Sequence, residues 1–213
     1  MDIDIINPHV MKILISARNE DSISSISKRI NLSYGWTNKW INELIKKGIF
    51  KKKWRGIILN EKSKPYQKII KFIKENFNDI SFYYSVLSLF GVKYCFTKID
   101  SVYIWTEGRY NIARYRDYYP IFIKIKKSDC NIFLGYCKKL GLKTNSKKGV
   151  FYAPEVLEEF KCVKKNTFFV DSLDETVGFM QKNIYNFEPA LEIINEMYNK
   201  KLDIKYKEIN LLR

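Results

Sequence analysis

The basic side chains of this chain are concentrated in one stretch of the sequence. Twelve lysines and arginines lie between Lys39 and Lys74, where the only acidic residues are Glu43 and Glu61. The whole chain of 213 residues has a formal net charge of +15, and residues 1–75 contribute +9 to it. A dense positive block favours a polyanionic partner such as nucleic acid, although many lysine-rich proteins merely have a solvated surface.

The residues that several kinds of catalysis need are scarce or widely spaced. The single histidine, His9, lies far from the cysteines, which have no short paired spacing and are Cys95, Cys130, Cys137 and Cys162. This spacing disfavours a zinc site, and one histidine disfavours Ser-His or Cys-His catalysis because no other imidazole can act as the base. We therefore expect buried, reduced cysteines, no metal site and no cofactor.

The apolar residues are numerous but interrupted by charges. Hydrophobic residues make up 46% of the chain and aromatic residues 15%, enough for one large core or two small ones. No apolar run reaches the roughly 18 residues of a membrane span, and the first ten residues contain two aspartates and no signal-like run. We therefore expect a folded cytoplasmic protein with no membrane partner.

Three helices are predicted in the first third of the chain, each from a capping residue followed by apolar residues at helical spacing. The expected capping residues are Asn7, then Asp21 or Ser22, then Ser33. Pro8 follows the first cap, as is common in the first turn of a helix. The third helix is predicted from Tyr34 to Lys47, and Gly48 is placed to end it in the left-handed conformation.

After Gly48 the pattern changes from helix to strand. Ile49-Phe50 leads into Lys51-Lys52-Lys53-Trp54-Arg55-Gly56, and apolar residues resume from Ile57 to Asn60. Two short apolar segments around a basic, glycine-containing tip predict a β-hairpin. Three helices followed by such a hairpin is the element order of a winged helix-turn-helix.

Residues 8–62 resemble the winged-helix regulators of the MarR-like kind. The resemblance rests on Leu32-Ser33-Tyr34-Gly35-Trp36-Thr37-Asn38-Lys39 and on Leu44-Ile45-Lys46-Lys47-Gly48-Ile49. It implies that the third helix enters a major groove while the hairpin, or wing, meets phosphates or the minor groove. A winged helix that contacts protein instead of DNA is the alternative.

Candidate DNA-binding residues follow from the helical wheel of the third helix and from the wing. If Thr37, Ile41 and Leu44 pack inward, the opposite side of the helix faces outward and presents amide, basic and aromatic side chains suited to base edges and phosphates. The candidates on the helix are Tyr34, Trp36, Asn38, Lys39 and Asn42. The candidates on the wing are Lys51, Lys52, Lys53 and Arg55.

The rest of the chain is predicted to be α+β. We expect a winged-helix domain over residues 1–62, a linker helix over 63–79 that either pairs with a second copy or packs on its own domain, and a mixed-sheet α+β domain over 80–213. Strands are expected near residues 92–96, 102–105, 121–125, 150–152 and 167–170. Helices are expected over 129–140, after the capping box formed by Ser172 and Glu175, and over 187–200.

Residues 80–200 are similar to the nucleotidyltransferase-like domains that follow winged helices in AbiEi-type antitoxins and their archaeal relatives. The local match is Thr97-Lys98-Ile99-Asp100 before the expected strand at 102–105. Active members place Gly-Ser on a helix and two carboxylates, one residue apart, on a strand to hold Mg²⁺. Because Lys98 stands at the first carboxylate position and Val92 follows Gly91, the resemblance implies a domain that has lost catalysis.

A second group of candidate binding residues lies between Gly108 and Pro120, where arginines are interleaved with tyrosines. Its arginines are Arg109, Arg114 and Arg116. Such a segment suits nucleic acid, a protein interface or a plain structural connection between strands, and the sequence does not separate the three.

These observations predict a DNA-binding protein and no enzyme. We expect it to occupy double-stranded DNA as a transcriptional regulator or an autoregulating antitoxin, and the C-terminal domain is the candidate for forming a homodimer or binding a protein partner. The alternatives are a Mg²⁺-dependent nucleotidyltransferase that uses Asp100, Glu107 or Asp117, and a non-specific adaptor in a DNA-processing complex.

Overall fold

The computed structural model describes residues 7–77, 79–112, 114–202 and 204. Its helices and strands are α1 (Pro8–Ser16), β1 (Glu20–Asp21), α2 (Ile23–Ile30), α3 (Tyr34–Lys46), β2 (Phe50–Lys53), β3 (Gly56–Leu59), α4 (Lys64–Asn76), α5 (Ile80–Val86), β4 (Tyr94–Phe96), α6 (Ile99–Trp105), β5 (Tyr118–Lys126), α7 (Cys130–Leu140), β6 (Lys143–Thr144), β7 (Gly149–Leu157), β8 (Val163–Lys165), β9 (Phe168–Val170), α8 (Leu173–Lys182) and α9 (Ile184–Tyr198).

The chain divides into two compact units. Unit 1 contains the described residues up to Val92 and the segment Asp129–Lys143, and unit 2 contains Lys93–Ser128 and the described residues from Thr144 onward. Helices and strands occur in both, so the predicted α+β class is confirmed. In the described part of the chain, no helix combines the length and apolar character needed to cross a membrane.

Local capping signals place the first three helices of unit 1 as predicted. The side chains of Asn7, Ser22 and Ser33 each accept a hydrogen bond from a backbone N–H in the first turn of the following helix. Gly48 adopts a φ of +71°, which ends the third helical segment in the left-handed conformation. On α3, Thr37 and Ile41 are fully buried, which confirms the inward face.

The predicted hairpin forms, and an unpredicted strand joins it. β2 and β3 pair antiparallel, and β1 pairs antiparallel with β3, giving the strand order β1-β3-β2. A Cβ atom on Gly56 would lie only 2.4 Å from the carbonyl oxygen of Asp21. Glycine at position 56 therefore lets the backbone of β1 approach β3.

Unit 1 extends further along the chain than residues 1–62. The sequence predicted a linker helix over 63–79 and a separate domain from residue 80, but α4, α5 and the later helix α7 belong to unit 1. The apolar face of α4 buries Ile69 and Ile73, α7 contacts α4, and the ring of Tyr136 in α7 stacks on Phe90 with centroids 4.5 Å apart. The predicted boundary was misplaced because α7 belongs to unit 1, although residues 93–128, which precede it in the sequence, belong to unit 2.

Hydrogen bonds fix α7 to the end of α1. The ammonium of Lys139 donates to the carbonyl oxygens of Leu14 at 2.6 Å and Ala17 at 2.8 Å. The hydroxyl of Tyr136 donates to the carbonyl of Ser16 at 2.5 Å. These donors satisfy carbonyls that have no partner inside the helix.

The ammonium of Lys139 makes the stability of unit 1 dependent on pH. Burial lowers the pKa of Lys139 to about 7, from an ordinary value of about 10.4. The unfolded chain binds this proton across the interval between these values and the folded chain does not. The free energy of unfolding should therefore rise with pH from about 7 to 10, by at most about 1.4 kcal/mol per unit, and fall as the pH returns to 7.

Urea titrations at pH 7, 8, 9 and 10 measure this dependence, with Lys139→Met as the comparison. We expect a flatter profile for the methionine variant, because it has no ammonium at this position. Equal slopes for the two proteins would contradict the assignment to Lys139.

Unit 2 is built on a mixed sheet, as predicted. Within this unit the strand order is β7-β5-β4-β9-β8, with parallel pairing of β5 to β7 and β4 to β9 and antiparallel pairing of β4 to β5 and β8 to β9. An apolar cluster joins α6, α8 and α9 through buried residues that include Val102, Met180, Leu191 and Ile194. β6 and β8 were not predicted, because their sequences are short and rich in lysine.

One predicted strand is a helix. Residues 102–105 were expected to be a strand, but they form the second half of α6. Val102 and Ile104 are buried, and Val102 belongs to the apolar cluster with α8 and α9. A run of four apolar residues fits either structure, and tertiary packing overrides the β preference of its branched and aromatic side chains.

Candidate nucleic-acid interface

The outward side of α3 carries the residues predicted to meet DNA. Tyr34 and Trp36 expose 56% and 53% of their surface, Lys39 is exposed, and Asn38 and Asn42 are half-buried. The amide nitrogen of Asn42 donates to the side-chain oxygen of Asn38 at 3.2 Å. This bond orients both amides along one line of the helix and leaves further donors and acceptors on each for a ligand.

The start of α3 holds a cation beside an aromatic ring. The ammonium of Lys39 lies 4.9 Å from the centroid of the Trp36 ring, and the His9 ring stacks on Trp36 with centroids 6.0 Å apart. Packing against His9 limits the rotation of Trp36. The positive charge of Lys39 is therefore kept close to the first turns of α3.

The β2–β3 hairpin presents a cluster of cations. Lys51, Lys52, Lys53 and Arg55 are all exposed. The ammonium of Lys53 lies 2.7 Å from a carboxylate oxygen of Glu20. Within the described residues, no carboxylate lies within ion-pairing distance of Lys51, Lys52 or Arg55. The hairpin therefore carries three positive charges that acidic side chains of the described chain do not neutralise.

A cleft of about 500 Å³ lies between α3, the start of α2 and the hairpin. Six of the nine predicted residues line it: Tyr34, Asn38, Asn42, Lys52, Lys53 and Arg55. Trp36, Lys39 and Lys51 are not among its lining residues. The structure thus brings amides from one element and cations from another to a single concave surface.

A buried ion pair joins β1 to α2, the helix whose start lines this cleft. Asp21 accepts hydrogen bonds from the backbone N–H groups of Arg18 and Ser22, and its carboxylate pairs with the guanidinium of Arg29. The side chains of Asp21 and Arg29 expose only 5% and 10% of their surface. Because Asp21 ends β1 and Arg29 lies in the last turn of α2, the pair holds the β1 edge of the small sheet to the end of α2.

Sequence reasoning missed Trp54, which lies at the tip of the hairpin. Its side chain is 93% exposed, the highest value among the exposed large hydrophobic residues that the structure describes. The signal that identifies it in the sequence is an aromatic residue between Lys53 and Arg55 where a polar turn residue is usual.

One member of the second candidate group, which consists of Arg109, Arg114 and Arg116, is buried. Arg109 and Arg116 are exposed, but one guanidinium nitrogen of Arg114 lies 2.9 Å from a carboxylate oxygen of Asp100. The Arg114 side chain is 5% exposed, and its guanidinium stacks 4.1 Å from the centroid of the Tyr119 ring. Inclusion of Arg114 among residues that meet a partner was therefore wrong, because its guanidinium is paired with the carboxylate of Asp100 inside unit 2.

Two of the three carboxylates considered for Mg²⁺ have cationic partners. Asp100 is fully buried and accepts from the backbone N–H of Phe122 at 2.6 Å as well as pairing with Arg114. The carboxylate of Glu107 lies 2.9 Å from the ammonium of Lys165, which lowers the pKa of Glu107. Asp117 is exposed. Among the described residues, no three His, Cys, Asp or Glu side chains are grouped so that they could hold a metal ion.

Comparison with known proteins identifies no relative. No family model, no curated protein and no solved structure matches the chain. The function assigned to it therefore rests on its own side chains.

Proposed function

We propose that this chain binds duplex DNA through α3 and the β2–β3 hairpin, which together act as a winged helix-turn-helix. The observation that carries the proposal is the cleft in which the amides of Asn38 and Asn42 face the cations of Lys52 and Arg55. Amides pair with base edges and cations pair with phosphates, so the two halves of the cleft match the two parts of a duplex.

The dimensions of a duplex are compatible with this arrangement. A major groove about 12 Å wide accepts one α-helix, and a sugar-phosphate backbone separates it from the neighbouring minor groove. With α3 in the major groove and the hairpin across that backbone, the phosphates would lie along the cleft. Lys52 and Arg55 would contact them, and Lys39 would add charge near the start of α3.

The proposed action is occupancy of DNA, without chemistry. A transcriptional regulator, or an antitoxin that represses its own operon, would work in this way. Unit 2 would then serve as the dimerisation or partner-binding part, and a homodimer would bind two half-sites about one helical turn apart. The ion pair that engages Asp100 disfavours the enzyme alternative.

Substitutions on the two sides of the cleft should separate base reading from anchoring. Asn38→Ala is expected to reduce discrimination at one base position by about 1–3 kcal/mol, because an amide that pairs with a base edge is lost. Lys52→Ala is expected to weaken binding to all DNA sequences about equally, because every sequence has the same phosphate backbone. Selection of bound sequences from a random duplex pool, followed by affinities for the enriched site and its single-base variants, measures both effects.

Lys68→Ala is the matched control, since Lys68 is an exposed lysine of the same unit on α4. We expect little change in affinity from it. Uniform losses from both Asn38→Ala and Lys52→Ala, with no position-specific effect, would show that α3 does not enter the groove.

A further inference from the structure

Trp54 is placed where its ring contributes nothing to the described fold. The hairpin closes with Lys53 opposite Gly56, so Trp54 and Arg55 form a two-residue connection at its end. In the described part of the chain, no aromatic ring or cation lies against the Trp54 indole, and 93% of the residue is exposed. A tryptophan in a tight turn is unusual, and an exposed aromatic ring flanked by cations is the combination on which nucleic-acid bases stack.

The position of Trp54 relative to the cleft indicates what it meets. Its sequence neighbours Lys53 and Arg55 line the cleft, whereas Trp54 does not, and Trp54 lies at the tip of the hairpin. With the hairpin across the phosphate backbone, as proposed, this tip would lie beyond the cations that hold the phosphates. On the proposed function, the surface beyond that phosphate backbone is the minor groove. This groove is only about 6 Å wide, and apolar side chains that enter it commonly wedge between base pairs and unstack them.

We infer that Trp54 inserts at an unstacked base step, so that the preferred ligand is duplex DNA containing a weakened step, such as a mismatch or an unpaired base. This inference rests on the proposed function. Insertion must first unstack a step, which costs less at a mismatched or unpaired base than in a fully paired duplex. An indole stacked on the exposed base then recovers part of that cost.

The flanking residues favour nucleic acid over a protein surface as the occupant. Trp54 lies between Lys53 and Arg55, with Lys51 and Lys52 on the same strand, and none of these is a large apolar residue. Apolar docking surfaces on proteins are usually contiguous patches rather than one ring among cations. A single ring surrounded by positive charge suits a base stack between phosphates.

Binding measurements on two labelled duplexes test the inference. The duplexes have the same sequence except for one central mismatch, and affinities are measured by fluorescence anisotropy at low salt, with the corresponding single strand as a third ligand. For the full chain we expect the mismatched duplex to bind about 5- to 100-fold more tightly than the matched duplex. Trp54→Ala should bind the matched duplex nearly as tightly as the unmodified chain does, but it should lose the preference for the mismatched duplex. Trp54→Phe should retain part of that preference.

Lys51→Ala is the control for charge, and it should weaken both duplexes by the same factor. Equal affinities of the unmodified chain for the two duplexes, a preference that survives Trp54→Ala, or tighter binding of the single strand than of the mismatched duplex would each overturn the inference. In the first two cases duplex binding itself stands. Absence of binding to any duplex at low salt would overturn both the inference and the proposed function.

Discussion

Replacement of Arg114 by alanine is expected to destabilise unit 2 by about 3–5 kcal/mol. Asp100 exposes 0% of its surface, and Arg114 supplies the cation beside its carboxylate. Loss of the guanidinium removes the cation that lies 2.9 Å from this buried carboxylate, which also accepts a hydrogen bond from the N–H of Phe122. A buried charge without a cation costs far more than an exposed ion pair contributes.

Urea titration followed by hydrogen exchange of the β5 and β7 amides measures this loss within unit 2. Arg116→Ala is the matched control, because Arg116 is an exposed arginine two residues along the chain. Its effect should stay within about 0.5 kcal/mol. A loss of less than about 1 kcal/mol for Arg114→Ala would show that the pair does not hold this part of the unit together.

Local signals were sufficient to predict the parts of unit 1 that form the cleft. A capping side chain acts on backbone groups two or three residues away, so Ser22 and Ser33 could be assigned from the sequence. The inward face of α3 follows from helical periodicity alone. The hairpin also follows from local pattern, since a basic, glycine-containing tip separates two apolar segments.

Features that depend on distant residues could not be predicted in this way. β1 consists only of Glu20 and Asp21, and it forms because β3 offers a free edge. The end of unit 1 was misplaced because α7 packs on helices that precede it by many residues. Arg114 looked available for a partner because its pairing with Asp100 depends on the position of α6, which the sequence suggested was a strand.

Reversal of the charges at Lys51, Lys52 and Arg55 to glutamate is expected to weaken duplex binding by at least about 100-fold at moderate salt. Three favourable phosphate contacts are lost and three repulsive charges take their place. These cations have no acidic partner within the described residues, so no rearranged ion pair compensates for the change. Lys53 is left intact because Glu20 already pairs with it.

The matched control reverses the exposed lysines Lys62, Lys64 and Lys68, which changes the net charge by the same amount on the same unit. We expect the affinity of this control for duplex DNA to fall by less than about 10-fold, because charges away from the contact are screened by salt. Equal losses in the two triple variants would mean that the chain attracts DNA by its overall charge and not through the hairpin.

The salt dependence of duplex binding tests most directly the claim that α3 and the hairpin bind the phosphates of a duplex. If Lys39, Lys51, Lys52 and Arg55 each neutralise one phosphate, the logarithm of affinity should fall against the logarithm of salt with a slope of about −3.6. Affinity would then drop on the order of 100-fold between 50 and 200 mM salt, and the hairpin triple variant would show a slope near about −0.9. No duplex binding at low salt, or a slope near zero for the unmodified chain, would contradict the account.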